Sequence, residues 1–141
     1  MTTKGALLDR ALDTQTRGTV TAKDGDGRAE ADVVDVDRIG VRVRRVAVSA
    51  PRGDVEALAK ALPERLRSLP ERVEPIEVSP KLGGAVLRTP VDQVREREFF
   101  EVEVRGDDVT VERWRATDAG RERVDFDLTR KQLGRLVDEL G

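Results

Sequence analysis

The sequence predicts an α+β domain built on antiparallel sheet, and three observations point to it. Residues 18–49 are valine-rich and carry tight-turn signals at Asp24-Gly25-Asp26-Gly27 and Asp37-Arg38-Ile39-Gly40. Phe99 to Trp114, "FFEVEVRGDDVTVERW", alternates apolar and polar residues around another Gly-Asp turn. Leucines at helical spacing occur at the start, after residue 54 and at the end. At 141 residues the chain reads as one domain, 1–141, and a chain of that size buries roughly 68–70% of its unfolded surface, enough for a core without staples.

Taken in order, Thr3 caps a first helix over residues 4–13, in which Leu8, Ala11 and Leu12 share one side. Three strands follow. With Gly25-Asp26 as a two-residue loop, Ala22 faces Ala29 and Val20 faces Ala31; with Arg38-Ile39 as the next loop, Ala31 faces Val46 and Ala29 faces Val48. The same pairing puts Val34, Val36, Val41 and Val43 on the opposite face, with Asp35 across from Arg42. Either bulges return these valines to one face, or the hairpin tip projects past the first strand and buries them elsewhere. The projecting tip is preferred, because the loop at Gly40 closes both sets without a residue left over.

Asp54 caps the second helix, which runs through Val55, Leu58, Leu62, Leu66 and Leu69. Pro63 removes a donor inside it, so a kink or a restart as a second short piece is expected. Val73–Val78 and Ala85–Arg88 read as short strands, the first an edge strand because of Pro75, and residues 89–95 as a connector. With Gly106-Asp107 as a loop, Val104 faces Val109, Val102 faces Val111 and Phe100 faces Arg113. A four-residue loop over Thr117–Gly120 then sets Val111 against Phe126 and Val109 against Leu128. Thr129 and Gln132 form a capping box on a last helix, whose Leu133, Leu136, Val137 and Leu140 cover the sheet. The plan is two three-stranded meanders, each followed by a helix, plus an N-terminal helix and a short central hairpin. The units 17–69 and 96–141 are candidates for a degenerate repeat, although their lengths differ and few residues match.

Composition narrows the chemistry. The chain has no cysteine, histidine or tyrosine. Thiolate ligands, cysteine nucleophiles and the commonest proton-transfer side chain are therefore absent. Catalysis would have to run on Asp, Glu, Lys, Arg or the three serines, Ser49, Ser68 and Ser79. Charged residues are 38% of the chain, but 26 basic and 28 acidic side chains nearly cancel, so no global pull on nucleic acid or anionic lipid is expected. No apolar run is long enough to span a bilayer, and residues 1–15 lack the basic start and apolar block of a signal peptide. The expected location is the cytoplasm, with no membrane association.

Three local motifs fall short of the sites they resemble. Gly83-Gly84 after Lys81 lacks the Gly-Lys-Ser/Thr ending of a phosphate loop and reads as a turn. "DGDGRAEADVVDVD" has Arg28 where a calcium loop needs its fifth-position ligand and no closing carboxylate. Arg52-Gly53-Asp54 is a helix lead-in whose aspartate is the cap. Acid pairs such as Glu101 with Glu103 and Asp125 with Asp127 share a strand face as glycosidase carboxylates do, but nothing near them marks a pocket. The basic run "RIGVRVRR" faces Asp32 and Asp35 and reads as a cross-strand salt-bridge ladder. No catalytic residue, metal site or cofactor is assigned.

The outer face of the second meander holds the candidate surface. The register that points the valines inward sets Phe99 against Trp114, Glu101 against Glu112 and Glu103 against Thr110, with Arg123 beside Trp114. One end is aromatic and basic, with Arg95, Arg97 and Arg123; the other is acidic, with Glu101, Glu103, Glu112, Asp125 and Asp127. The aromatic pair serves as a contact with a second subunit or partner, as a stacking platform for single-stranded nucleic acid, or as core covered by residues 70–95 with Trp114 on Arg123. The acids weigh against phosphate. In element order alone, a small acidic chain of helix, strands, helix, strands, helix resembles dimeric secretion chaperones, and the doubled sheet-then-helix plan resembles some single-strand-binding proteins. The expected function is a non-enzymatic module acting through protein–protein contacts, as an interaction, adaptor or chaperone-like domain, and a homodimer. Its candidate surface is Phe99, Trp114, Arg97, Arg123, Val34, Val36, Val41 and Val43, and a single-stranded nucleic-acid binder is the alternative.

Overall fold

The computed structural model describes residues 2–94 and 96–141. Among these, nine strands form one antiparallel sheet and three helices pack on one side of it. The helices are α1 (Lys4–Ala11), α2 (Val55–Arg65) and α3 (Arg130–Leu140). The strands are β1 (Gly18–Asp24), β2 (Gly27–Val36), β3 (Gly40–Ser49), β4 (Glu74–Ser79), β5 (Gly84–Arg88), β6 (Glu98–Arg105), β7 (Asp108–Thr117), β8 (Gly120–Val124) and β9 (Phe126–Thr129). Across the sheet they run β1-β2-β3-β7-β6-β5-β4, with β8 paired to β7 and β9 to β3. Among the described residues, no helix is long and apolar enough to cross a membrane.

The hairpin registers follow from loop length. Gly25 and Gly106 take φ of 57° and 60°, the left-handed conformation that a glycine-first two-residue loop requires. Those loops fix Val20 on Ala31, Ala22 on Ala29, Val104 on Val109 and Val102 on Val111, as the pattern predicts. Ala29 and Ala31 then meet Val48 and Val46, and one apolar face runs from β1 across to β5. Pro75 lies in β4, which is an outer edge of the sheet. The turn after it ends at Gly83, also left-handed at φ 65°.

Two expectations are corrected together. Val34, Val36, Val41 and Val43 do not stand on the far face as a set, because the β2–β3 ladder shifts twice: Asp32 pairs with Arg45, Val33 with Val43 and Asp35 with Arg42. Arg44 and Val34 are thus extra residues, one on each strand, and these bulges return Val36, Val41 and Val43 to the helix side. The tip also extends beyond β1, whose last pair is Gly18 with Val33. What covers it is β9. Val41 pairs with Leu128 and Val43 with Phe126, so Phe126 and Leu128 do not oppose Val111 and Val109, which pair instead with Val46 and Val48 of β3.

The physical cause is the bulge at Arg44. β3 and β7 pair from Ser49 on Asp108 up to Arg45 on Glu112 and no further. A bulge bends its strand, and β3 turns away from β7 where the bulge lies. The chain fills the wedge by running along β7 from Gly120 to Val124 and then back along β3 from Phe126 to Thr129. Thr117 and Gly120 still pair, which leaves Asp118-Ala119 as the loop.

The helices sit where their caps and stripes put them. Thr3 accepts from Ala6 N–H, Asp54 from Glu56 N–H, and Thr129 exchanges hydrogen bonds with Gln132 in a complete capping box. Pro63 neither kinks α2 into two pieces nor restarts it. It lies two residues before the end, so the lost donor costs only the last turn, and Leu66 and Leu69 are buried from an irregular segment. Gly5 and Gly134 let α1 and α3 cross closely, and Asp138 accepts from the Gly5 N–H at 2.9 Å. Arg130 ties the start of α3 to Asp9 of α1 and to Asp13 in the turn after it. The core is one cluster from all three helices and the inner sheet face, with Phe100 and Phe126 edge to face at 5.2 Å.

Candidate interaction surface

Among the described residues, no helix packs on the other face of the sheet, and the predicted aromatic pair lies on that face. Phe99 pairs with Trp114, Glu101 with Glu112, Glu103 with Thr110, and Trp114 with Arg123, each as expected from the loops. β5 and β3 extend the same rows. Arg88 pairs with Glu101 and Arg45 with Glu112, so one row across the sheet reads Arg88, Glu101, Glu112, Arg45, Asp32, Thr19.

The two rings are capped by arginines. The Arg121 guanidinium lies 4.0 Å from the centre of the Trp114 ring, and Arg88 lies 5.8 Å from that of Phe99. Such contacts contribute about 0.5–1 kcal/mol at partly exposed sites. The cap on Trp114 is thus Arg121 and not Arg123, which instead bonds Glu112. From the expected covering segment, Arg88 reaches Phe99 from the neighbouring strand β5. Phe99 and Trp114 remain partly accessible. The indole Nε1 is buried and has no hydrogen-bond partner, an omission that costs about 1–3 kcal/mol.

Glu101 holds the caps in place. It is 6% exposed and accepts from Arg88 at 2.5 Å and from Arg121 at 2.7 Å. Burial pushes its carboxyl up, but the hydrogen bonds from Arg121 and Arg88 outweigh that and hold it below the usual glutamate range. Across the strand pair Glu112 carries the same charge, and its own partner Arg123 offsets the repulsion.

The expected acidic end is neutralised acid by acid. Glu103 pairs with Arg105 at 3.1 Å, Asp125 with Arg44 at 3.7 Å and Asp127 with Arg42 at 2.9 Å. Arg42, paired with Asp35 on β2 and with Asp127 on β9, bonds Asp127, and Arg45 reaches Glu30 at 3.5 Å although Asp32 is opposite. Asp32 accepts from Thr19 instead. The salt-bridge ladder exists, but on diagonals and on a strand that the local register does not reveal.

The remaining candidates divide. Arg97 sits beside the aromatic pair at the head of β6, in a left-handed turn with Glu96 (φ 63° and 55°), and bonds Asp118 at 3.2 Å. Arg95 lies outside the described residues. Val34 is half-buried on the outer face in an open depression it shares with Arg42, Arg44, Arg123 and Asp125. Val36 packs against the core, and Val41 and Val43 are inside it. Three of the four valines thus lie on the helix side, away from Phe99 and Trp114. Sequence reasoning missed Arg121, Arg88 and the burial of Glu101. The signal was present: Arg121 is two residues from Arg123 on one strand, and the pairing of Gly84 with Arg105 sets Arg88 on Glu101.

Behind the pair, on the helix side, Arg113 lies 4.5 Å from the Phe100 ring centre and bonds both Glu71 and Glu98. The hydrogen bond from Arg113 is the main cause holding the Glu98 carboxyl below its usual range. This network anchors the segment after α2 to the sheet. Among the described residues, no group of three or more acidic side chains is arranged to hold a metal ion. Neither a family model, a curated protein nor a solved structure matches the chain.

Proposed function

We propose that the chain is a non-enzymatic module that works through protein–protein contacts, with the outer sheet face around Phe99 and Trp114 as the contact surface, and that it self-associates as a homodimer. The observation that carries the reading is a sheet face on which, among the described residues, no helix packs, and where the chain's single tryptophan stays partly accessible beneath a neighbouring arginine. Tryptophan and arginine are enriched among interface anchors, and a face of interspersed, mutually neutralised charges favours a polar protein surface over a polyanion. The non-enzymatic part rests on composition, with no histidine, cysteine or tyrosine to move protons or form covalent intermediates.

The nucleic-acid alternative is weaker for a changed reason. The acids no longer repel phosphate strongly, since each has an arginine. The arginines near the rings are themselves committed to carboxylates, and Arg121 occupies the ring face on which a base would stack. Sedimentation of the full chain, read with Trp114 emission, tests the proposal. A dimer at micromolar concentration supports self-association, and a binding partner recovered by the wild type and lost by Trp114→Ala and Arg123→Glu supports the surface. Quenching of Trp114 by single-stranded oligonucleotides at low salt would replace the proposal with the alternative.

A further inference from the structure

We infer that β1 is the dimer edge: two copies pair antiparallel through β1, about a two-fold axis at Thr21, so that the sheet continues from one copy into the next. This rests on the proposed self-association and names the surface that performs it. The argument begins at the hairpin. A two-residue loop closes on a hydrogen-bonded pair, here Asp24 with Gly27, so Asp24, Ala22, Val20 and Gly18 spend their backbone groups on β2. Thr19, Thr21 and Lys23 therefore point theirs outward. Among the described residues, β2 alone borders β1 in the sheet, and of these outward groups only the Thr19 carbonyl is occupied, by the Gln15 side chain at 2.9 Å.

The two outer edges differ in how they meet that exposure. β4 has the devices that blunt an edge: Pro75, an extra residue at Ile76 where the register shifts, and the exposed Glu74 and Glu77. β1 has no proline or bulge, and no charge between Thr19 and Ala22. A two-fold at Thr21 is self-complementary. It sets Thr21 on Thr21 of the second copy, Val20 on Ala22, Lys23 on Thr19, Asp24 on Gly18 and Arg17 on Gly25, with no like charges opposed. About four backbone hydrogen bonds form without disturbing Gln15. A two-fold at Lys23 would oppose two lysines, and one at Thr19 would compete with Gln15. Val20 and Ala22 extend the apolar face across the junction, and α1, the helix over this edge, brings its half-buried Leu7 and Ala11 with it. The outer faces of both copies stay open on one continuous sheet.

The test uses the full chain. Wild type sediments as a dimer, and the amides of Thr19 and Thr21 exchange slowly when concentrated and fast on dilution. Thr21→Pro removes an outward donor that the monomer does not use, so this variant keeps the wild-type circular dichroism and sediments as a monomer. A dimer that persists in folded Thr21→Pro, or is lost in Trp114→Ala alone, overturns the β1 assignment while leaving self-association standing. A wild type that stays monomeric overturns both. Should Thr21→Pro fail to fold, the wild-type exchange decides: Thr19 and Thr21 amides that remain fast in a dimer contradict the inference. Growth beyond the dimer into filaments also contradicts it, because that is the signature of β1 pairing with β4.

Discussion

Glu101 lies under two guanidinium groups on a face otherwise open to water, and it keeps those groups over the rings. Glu101→Gln retains the shape and removes the charge. The loss is expected to be about 1–2 kcal/mol, below the value for a deeply buried pair because Arg88 and Arg121 are 41% and 38% exposed and partly screened. Urea unfolding followed by tryptophan emission measures it, and the native emission shifts to the red as Arg121 leaves the indole. The acid limb of stability follows from the same residue with Glu98. Both carboxyls are held below their ordinary range in the folded chain, so the unfolded chain takes up protons first. Their contribution is complete above the ordinary glutamate range, from about pH 5 upward, and is lost as pH falls through the lowered values. Urea midpoints against pH will show that fall, and Glu101→Gln will make it shallower. The aromatic pair and its outer face were legible because two loop lengths fix them. The cap on Trp114 was not: which of two arginines covers a ring depends on where the other finds a carboxylate, and Glu112 takes Arg123.

At the scale of elements, the crossing of α1 and α3 is the tightest requirement. A Cβ at Gly5 would lie 2.0 Å from the Gly134 carbonyl oxygen, whereas a Cβ at Gly134 would meet the Gly5 oxygen at 3.3 Å. Gly5→Ala must push α1 outward and costs about 1–3 kcal/mol; Gly134→Ala costs less, and thermal melts will rank them in that order. Thr129→Ala removes half of the capping box on α3 and lowers stability by about 1 kcal/mol in the same assay. The caps were legible because each is written within four residues. The switch of β9 from β7 to β3 was not, because it is set by the bulge at Arg44, and nothing in "VRVRRV" distinguishes a bulged arginine from a paired one. The same gap explains the valines: Val41 and Val43 were read on the wrong face by counting through two bulges without a sequence mark.

For the whole molecule, one layer of helices on a wide sheet leaves a face and the outer edges at β1 and β4 to solvent among the described residues, and the proposed contact function rests on that asymmetry. The fold class and the strand ladder were legible from alternation and turns. The strand order was not, since it is decided by contacts far apart in the chain, as where Ser49 meets Asp108. Dimers joined through β1 present two copies of the Trp114 face side by side, so a partner with two matching sites binds more tightly to the dimer than to Thr21→Pro. The account's central claim is self-association of this open sheet, and sedimentation equilibrium of the 141-residue chain over a range from nanomolar to near-millimolar concentration tests it most directly. The predicted result is a single monomer–dimer equilibrium that Thr21→Pro abolishes; a monomer at every concentration would contradict it.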